Sequence, residues 1–489
     1  MKIKELFGFE DDIYIDRRLD RERRLIPTCT VEQITKESIL IYPKRLGKRE
    51  YTLPKFESTL PYAVIAGEDI SCENEEVPLI RVRDPRRCAS FIFSKEYGID
   101  YGRMRIIGIT GTNGKTTTSE MLFSILREAG YNVGFIGTGE IRINDVSVSE
   151  NDYSMTTPDP DLLYKSLGQM QASGCEYVVM EVSSHSIALS KIAPVKFKCA
   201  VFTNLSEEHM DFHENMESYY NTKLSLFSSS EYGIFNLDDR YSRRASEEKG
   251  MMGYRVGIID TSGDSYITDY KSLGLDGSEY YYREKGLIFK IKLGIGGAYN
   301  VYNSLLAAKC AITLGIKPCI VKKALSNIKQ IRGRLNLIRS DITVAIDYAH
   351  TPQAFKEVLY FLKSSLIPGQ SLITVFGCGG ERDKTKRAVM GKTAEDMSDF
   401  VIVTEDNSRS EDFSFICDMI TSGMRKRTHT VIESRSEAIR CAILSANEGD
   451  LVAIIGKGHE KYIIDKQGKR HFDESEIIKS ALLERKSKK

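Results

Sequence analysis

Apolar residues in this chain come in short runs, each closed by a charged or glycine-rich stretch. Runs of four to eight aliphatic and β-branched residues between turn residues predict strands, and apolar recurrence at three- and four-residue spacing predicts helices. Up to about residue 103, SILIYP, YAVIAG and PLIRV read as strands of a small α/β domain. At Met104 the pattern changes: RMRIIGIT predicts a strand, GTNG a turn and KTTTSEMLFSILREAG a helix. Met121, Leu122, Ile125 and Leu126 mark one apolar face of that helix, and Gly130 stands where a C-terminal stop belongs. EYVVMEV (176–182), CAVFTNL (199–205) and YGIFNL (232–237) predict further strands. The Tyr- and Gly-rich section 264–298 predicts hairpins, VYNSLLAAKCAITLG a helix, and IRGRLN (331–336) a linker. From DITVAIDYAH onward, ITVAID (342–347), SLITVFG (371–377), FVIVTED (400–406) and LVAIIGKG (451–458) alternate with helical patterns. That alternation predicts βαβ units and a parallel sheet.

Length and charge narrow the classes. A chain of 489 residues exceeds one ordinary core, and three domains are the natural division. Lys plus Arg (69) nearly cancel Asp plus Glu (68), so no global field favours nucleic acid or an anionic membrane. The basic tail ERKSKK reads as a frayed, solvated end. MKIKELFGFEDD lacks the apolar core of a signal peptide, and no apolar run approaches the ~18 residues of a membrane span. Ten cysteines without a CxxC pair predict reduced, mostly buried thiols of a cytoplasmic protein.

The chemistry sits where strands end. GTNGKTTT follows a strand and opens a helix, the context in which backbone N–H groups and a helix N-terminus cradle phosphate. Gly111, Thr112, Asn113, Gly114 and Thr117 complete the loop, Lys115 would neutralise β/γ-phosphate charge, and the Thr116 hydroxyl would ligate Mg²⁺. The strict GxxxxGK[ST] pattern wants glycine at Ile109, and Gly108 is one place early. EVSSH (181–185) and NLSEEHMDFH (204–213) end the next strands, making Glu181 and His209 candidate Mg²⁺ ligands or carriers of metal-bound water. His209 and His213, four apart, equally suit a metal-free pair on one helix face. Lys223, in YYNTKLSLF, reads from pattern alone as a snorkelling surface lysine. The last four strands run into DYAHTP, CGGERDK, DNSRSED and GKGHE, and ligands of open α/β sheets bind beyond such carboxyl ends. TEDNSRSED (404–412) alone would be a solvated turn; as a wall of that edge it offers acids, an amide and a cation to a ligand with both amine and carboxylate.

In order, GTNGKTT, EVSSH, TNL-x3-HMDFH, the N-V-Y-N helix start, the G-R linker, DYAHTP, the Asp/Asn/Arg loop and GKGHE resemble the Mur ligase family over about residues 104–476. The resemblance implies an α/β chain of three domains. These are a small α/β N-terminal domain for the UDP end (1–103), a central P-loop ATPase domain with a mainly parallel sheet (104–331), and a Rossmann-like C-terminal domain for the amino acid (332–489). It implies an ATP-dependent ligase: a substrate carboxylate attacks the γ-phosphate, and an amine then attacks the acyl phosphate. ATP and two Mg²⁺ are the implied cofactors, with Thr116, Glu181, His209 and Lys223 as metal positions and a CO₂-derived carbamate on Lys223. Lys115, His209 and Lys223 carry the catalytic roles.

By the same resemblance, Asn303, Arg334, Asp347 and His350 hold the nucleotide, and Thr156, Thr157, Ser183 and Lys191 the UDP-linked acceptor; Lys191 stands where arginine is usual. Arg382, Asp406, Asn407, Arg409, Gly456 and Glu460 take the incoming amino acid. The loop resembles the D-N-P-R of diaminopimelate-adding members, with Ser408 replacing proline and freeing the loop. The implied reaction adds meso-diaminopimelate to UDP-MurNAc-L-Ala-D-Glu in peptidoglycan synthesis, by a cytoplasmic monomer with no nucleic-acid or membrane partner. Early in the chain the family carries Asp-Ser-Arg followed by Pro-Gly-Asp; here Thr28, Cys29 and Thr30 precede VEQITKES. That departure motivates one alternative, a ligase adding L-lysine or using another carboxylate donor; a non-catalytic nucleotide-binding regulator is a separate third reading.

Overall fold

The structure is a computed structural model describing residues 2–8, 13–20, 22–43, 52–53, 56, 59–70, 76–148, 155–248, 252–426 and 428–488. The chain divides into two units: residues 1–110, 130–201 and 221–233 form the first, and 111–129, 202–220 and 234–489 the second.

The first unit begins with a five-stranded sheet in the order Ile13–Ile15, Leu79–Val82, Ala63–Gly67, Ser38–Tyr42, Ile26–Thr28. Only the Ile13–Ile15 pairing is antiparallel. SILIYP, YAVIAG and PLIRV are its central strands, and Ile39, Leu40, Ile41 and Val64 are fully buried. Helix Pro85–Glu96 follows, with proline in its first turn and the Asp84 carboxylate accepting from the Arg86 and Arg87 N–H groups. The same unit holds Arg105–Thr110, Tyr177–Glu181 and Val133–Gly137 as parallel neighbours. These strands are buried on both faces, as their unbroken apolar sequences require.

In the second unit the helix after the phosphate loop runs from Lys115 to Glu128, with Met121, Leu122, Ile125 and Leu126 fully buried and Gly130 at φ +89° just beyond its end. The predicted hairpins are Ser265–Ser272, Ser278–Glu284 and Leu287–Leu293, paired antiparallel in sequence. Helix Ala298–Thr313 follows as predicted. The IRGRLN segment is a tight turn: Ile331 and Arg334 bridge across Gly333 at φ +68°. The last sheet has the order Asn336–Arg339, Thr343–Asp347, Leu451–Ile455, Leu372–Phe376, Phe400–Val403, His429–Val431. All its pairings are parallel except that of Asn336–Arg339. That first edge strand, the His429–Val431 edge and the hairpin Tyr462–Asp465/Gly468–His471 were not predicted. Each is short, and the two edges are half-exposed, so they lack the apolar runs that mark the central strands.

The nine cysteines described are all free, and six of them are buried. Among the described residues, no helix is long and apolar enough to cross a membrane.

Candidate functional site

The phosphate loop lies in the second unit. Gly111 has φ +146° and Gly114 φ +84°, both disfavoured for a side chain. A Cβ at Gly111 would stand 1.9 Å from the Thr203 hydroxyl, and one at Gly114 would stand 2.4 Å from Asn303 Oδ1. The loop is laced to NLSEEH: Asn113 N–H donates to Asn204 Oδ1 (3.0 Å), the Thr203 hydroxyl to Asn113 O (2.6 Å), and Ser206 N–H to the Thr112 hydroxyl (3.0 Å). Lys115 Nζ donates to Gly111 O (2.9 Å) and Thr112 O (2.8 Å), so its ammonium folds over the loop mouth. Thr117 is buried within the first turn of the helix.

The nucleotide positions converge on this loop. The Thr118 hydroxyl donates to Asn303 Oδ1 (3.3 Å), and Arg334 Nη2 donates to the Thr116 hydroxyl (2.9 Å). The Thr351 hydroxyl donates to Asn113 Oδ1 (3.2 Å). Asp347 accepts from Leu335 N–H and Ala349 N–H, both at 2.7 Å, fixing the turn that bears His350. Burial pushes the Asp347 carboxyl up, against the pull of Arg334 and these N–H groups.

Glu208, which sequence reasoning passed over, joins the two sides. Its Oε1 lies 3.0 Å from His350 Nε2, and its Oε2 lies 3.7 Å from His209 Nε2. Burial would raise this carboxyl, but the His350 contact and the nearby His209 and Lys115 hold it well below the usual carboxylate range. His209 and His213 do not share a helix face. They stand in a turn in which His209 has φ +59° and His213 N–H donates to His209 O (2.9 Å). His213 stacks on Tyr219 with ring centroids 4.7 Å apart.

In the first unit, Glu181 is fully buried at the end of its strand. It accepts from Thr138 through N–H (3.2 Å) and hydroxyl (3.1 Å). Thr156 meets the same Thr138 hydroxyl (3.2 Å), and Thr157 donates to Glu181 O (2.9 Å) while accepting from Ser183 N–H (3.1 Å). Glu181, Thr156, Thr157 and Ser183 therefore form one cluster. Lys191 is nearly buried and ion-paired to Asp159 at 2.7 Å. Lys223 is 1% exposed, which overturns the surface reading of its pattern. It stands alone in an otherwise apolar and neutral polar stretch, YYNTKLSLF, and the short helix Met216–Leu224 turns this position inward. Lys223 Nζ is 3.5 Å from the Thr110 hydroxyl, which in turn donates to Val182 O (2.9 Å), the carbonyl next to Glu181. Of the four expected metal positions, Glu181 and Lys223 lie in the first unit and Thr116 and His209 in the second. Among the described residues, no three His, Cys, Asp or Glu side chains cluster as a metal cage.

The amino-acid positions gather at the carboxyl edge of the last sheet. Asn407 Oδ1 accepts from Lys457 Nζ (3.1 Å) and Ile464 N–H (3.0 Å), and its Nδ2 donates to Glu460 Oε2 (3.0 Å). Lys457 also donates to Glu460 Oε2 (3.0 Å) and lies 3.7 Å from Asp406. Burial would raise the Asp406 carboxyl; the Lys457 and Arg435 charges hold it low. Gly456, at φ +121°, has no room for a side chain, because a Cβ would meet Asp406 Oδ2 at 2.9 Å. A Cβ on Gly379 would lie 3.3 Å from Arg409 Nη1 and 3.8 Å from Arg382 Cγ, so both arginines flank one point. Arg409, at φ +53°, donates to Gly380 O (2.6 Å). Ser408 does not leave the loop free: its N–H donates to Asp406 O (3.0 Å), a bond proline lacks the donor to make. Glu405 is spent on structure, accepting from Arg470 Nη2 at 2.8 Å through both oxygens.

Tyr348, also unassigned by sequence, faces both groups. The Arg334 guanidinium lies 4.6 Å from its ring centre, and its hydroxyl donates to Glu460 Oε1 (3.3 Å). Glu208, Tyr348 and Lys457 all sat inside quoted motifs; a charged or phenolic residue in the polar stretch after a strand end was the available signal.

The chain matches the Mur ligase middle domain over residues 109–311 and the Mur ligase, glutamate ligase domain over residues 333–458. It is 39% identical over 423 residues to the UDP-N-acetylmuramoyl-L-alanyl-D-glutamate–2,6-diaminopimelate ligase of Clostridium perfringens, covering 85% of this chain and 86% of that protein. With the ligase of the same name from Aquifex aeolicus it shares 37% identity over 428 residues, covering 86% of both. A solved structure of a UDP-N-acetylmuramoyl-L-alanyl-D-glutamate–2,6-diaminopimelate ligase superposes with a TM-score of 0.65 at 25% identity, covering 99% of each chain. With its phosphate loop, its nucleotide positions and its amino-acid edge in the family's order, the chain belongs to the Mur ligase family.

Proposed function

We propose that this ligase adds meso-diaminopimelate to UDP-MurNAc-L-Ala-D-Glu in peptidoglycan precursor synthesis, forming ADP and phosphate. The observation that carries the choice of amino acid is that Arg409 Nη1 and the stem of Arg382 both lie beside Gly379, on the sheet edge that also holds Asp406, Asn407 and Glu460. Two cations suit a ligand with two carboxylates, and an acid with an amide suits its ammonium groups. A lysine side chain would bring its terminal ammonium to an arginine, at a cost in repulsion and desolvation. The names of the relatives agree with this choice.

In the reaction, the terminal carboxylate of the dipeptide attacks the γ-phosphorus of ATP and ADP leaves. The amine of diaminopimelate then attacks the acyl carbon, loses a proton, and phosphate departs. Lys115 offsets the charge of the phosphates at the loop mouth, and Gly111, Thr112, Asn113, Gly114, Thr116 and Thr117 line it. Asn303, Arg334, Asp347 and His350 hold the nucleotide side; Thr156, Thr157, Ser183 and Lys191 hold the UDP-linked acceptor. Excluding water during these steps protects the acyl phosphate from hydrolysis.

Glu181 and Thr116, each within its own unit, offer the kind of oxygen donor that Mg²⁺ takes. Glu181 is a buried carboxylate already oriented by Thr138, Thr116 presents a hydroxyl, and Mg²⁺ takes few protein oxygens together with phosphates and water. Two ions are proposed, with His209 and Lys223 as the further positions; when bound they would screen carboxylate from phosphate. A lysine as buried as Lys223 suits carbamate formation, in which its neutral amine adds to CO₂ and releases a proton. We assign residues 1–103, 104–331 and 332–489 to acceptor, ATP and amino-acid domains of a cytoplasmic monomer.

The test is ADP release by the purified protein with Mg²⁺-ATP and UDP-MurNAc-L-Ala-D-Glu, offered meso-diaminopimelate and L-lysine separately. Turnover with diaminopimelate alone is expected. Turnover with lysine rejects the reading of Arg409, and silence with both moves the search to another carboxylate donor.

A further inference from the structure

The amino-acid edge contains one charged group that the reaction has not used. Lys457 lies between Gly456 and Gly458, is 0% exposed, and points its ammonium into the space between two loops. Its Nζ donates to Asn407 Oδ1 at 3.1 Å and to Glu460 Oε2 at 3.0 Å, and stands 3.7 Å from Asp406 Oδ1. Asn407 Nδ2 closes the triangle on the same Glu460 oxygen at 3.0 Å.

The arrangement has directional consequences. With Lys457 and the Ile464 N–H both on Asn407 Oδ1, the amide can present only its NH₂ edge toward Glu460. With Lys457 and Asn407 both on Glu460 Oε2, the other oxygen, Oε1, is the one left with spare acceptor capacity beside the Tyr348 hydroxyl. Asp406, Glu460 and Lys457 together carry one net negative charge, enough for one incoming ammonium, while nearby Arg435 is matched by Glu474 at 2.7 Å. Without Lys457, Asp406 and Glu460 would repel each other, and Asn407 would keep only the Ile464 N–H to fix its flip.

We propose that Lys457 is a positioning residue of the ligation reaction, holding Asn407 and Glu460 in the one orientation that leaves Glu460 Oε1 open to an ammonium of the incoming amino acid. This rests on the amino-acid reading of the same edge given above. Lys457 acts through its neighbours and does not itself touch substrate.

The experiment is a double-mutant cycle on the full chain, using K457M, E460Q and K457M/E460Q. Steady-state KM is measured for ATP and for whichever of meso-diaminopimelate or L-lysine the wild type accepts. Hydrogen bonds to charged groups contribute about 1.5–3 kcal/mol, so K457M is expected to raise the amino-acid KM at least about tenfold. The KM for ATP is expected to stay within about threefold. In the E460Q background the same change is expected to add little, because its effect passes through Glu460. Should K457M alone unfold, the comparison of E460Q with K457M/E460Q, where one buried charge of each sign is gone, still reads the added effect. An amino-acid KM unchanged in K457M, equal rises for ATP and amino acid, or a full multiplicative effect in the E460Q background overturns the proposal. A wild type that accepts neither amino acid defeats the functional reading and this proposal with it, whereas normal wild-type turnover with additive mutants defeats the proposal alone.

Discussion

A buried ion pair reinforces the hydrogen bonds that join the loops carrying Arg382 and Arg409. Arg387 is fully buried, and donates to Glu411 through Nη1 (2.9 Å) and Nη2 (3.2 Å) and to Gly379 O through Nη2 (3.0 Å). Glu411 also accepts the Glu381 N–H at 2.5 Å, so from within DNSRSED it touches both the CGGERDK loop and Arg387 of the helix that follows. Glu411→Gln keeps the shape and removes the charge. Breaking a buried pair from one side costs about 3–5 kcal/mol, because the partner charge stays behind uncompensated. Glu411 keeps one edge in solvent at 12% side-chain exposure, which places the loss near the lower end, about 3 kcal/mol. For a domain of this size 1 kcal/mol shifts the melting point by roughly 2–4 °C, so E411Q should melt roughly 6–12 °C lower. R387M/E411Q, which removes both charges, should regain most of that loss.

The pH dependence gives an independent check. The Arg387 hydrogen bonds, with the Glu381 N–H and the Arg387 and Lys384 charges, lower the Glu411 carboxyl from 4.5 to about 2. A folded-state pKa below the unfolded value stabilises the fold above the unfolded pKa and loses that contribution as pH falls through the folded one. The gap between wild type and E411Q should therefore be flat from pH 8 to about 5 and close between about 4.5 and 2. Urea unfolding across that range, with amino-acid KM at pH 8, is the assay. A loss under 1 kcal/mol, no recovery in the double mutant, or a gap that widens on acidification would refute the reasoning.

Two further outcomes are expected at the sites themselves. Lys223→Ala should abolish ligation while nucleotide binding persists, and formate or acetate should restore part of the rate by supplying the missing anion; an unchanged rate in K223A rejects the carbamate. Arg409→Ala should raise the KM for meso-diaminopimelate far more than that for ATP, measured by coupled ADP release; equal effects on both remove Arg409 from amino-acid recognition.

What the sequence made legible was local: strand, glycine turn and helix start for the phosphate loop, and a strand running into a polar loop four times in the last sheet. Periodicity reports which face of an element is buried, and central strands such as Leu451–Ile455, buried at every position, announce themselves. It reports nothing about partners far away in sequence. Arg334 and Thr116 are 218 residues apart and Thr351 and Asn113 238 apart, yet each pair shares a hydrogen bond. Lys223 shows the same limit from the other side, because a lone lysine in a stretch of apolar and neutral residues reads as a snorkelling surface group until the fold buries it. The His209–His213 spacing misled because an i, i+4 interval fits a tight turn with one positive φ as well as a helix. The residues that escaped notice, Glu208, Tyr348 and Lys457, share a property: each acts on a side chain far away in sequence, Glu208 on His350, Tyr348 on Glu460 and Lys457 on Asn407. A motif displays the groups that meet the ligand, while the groups that aim them are chosen by three-dimensional contact. The orientation of Asn407 illustrates this, since it is set by Lys457, 50 residues later, and by the Ile464 N–H, 57 residues later. If those two donors fix the amide, then D-N-S-R alone does not determine which amino acid the loop accepts, and selectivity belongs to the loop and the GKGHE segment as a pair.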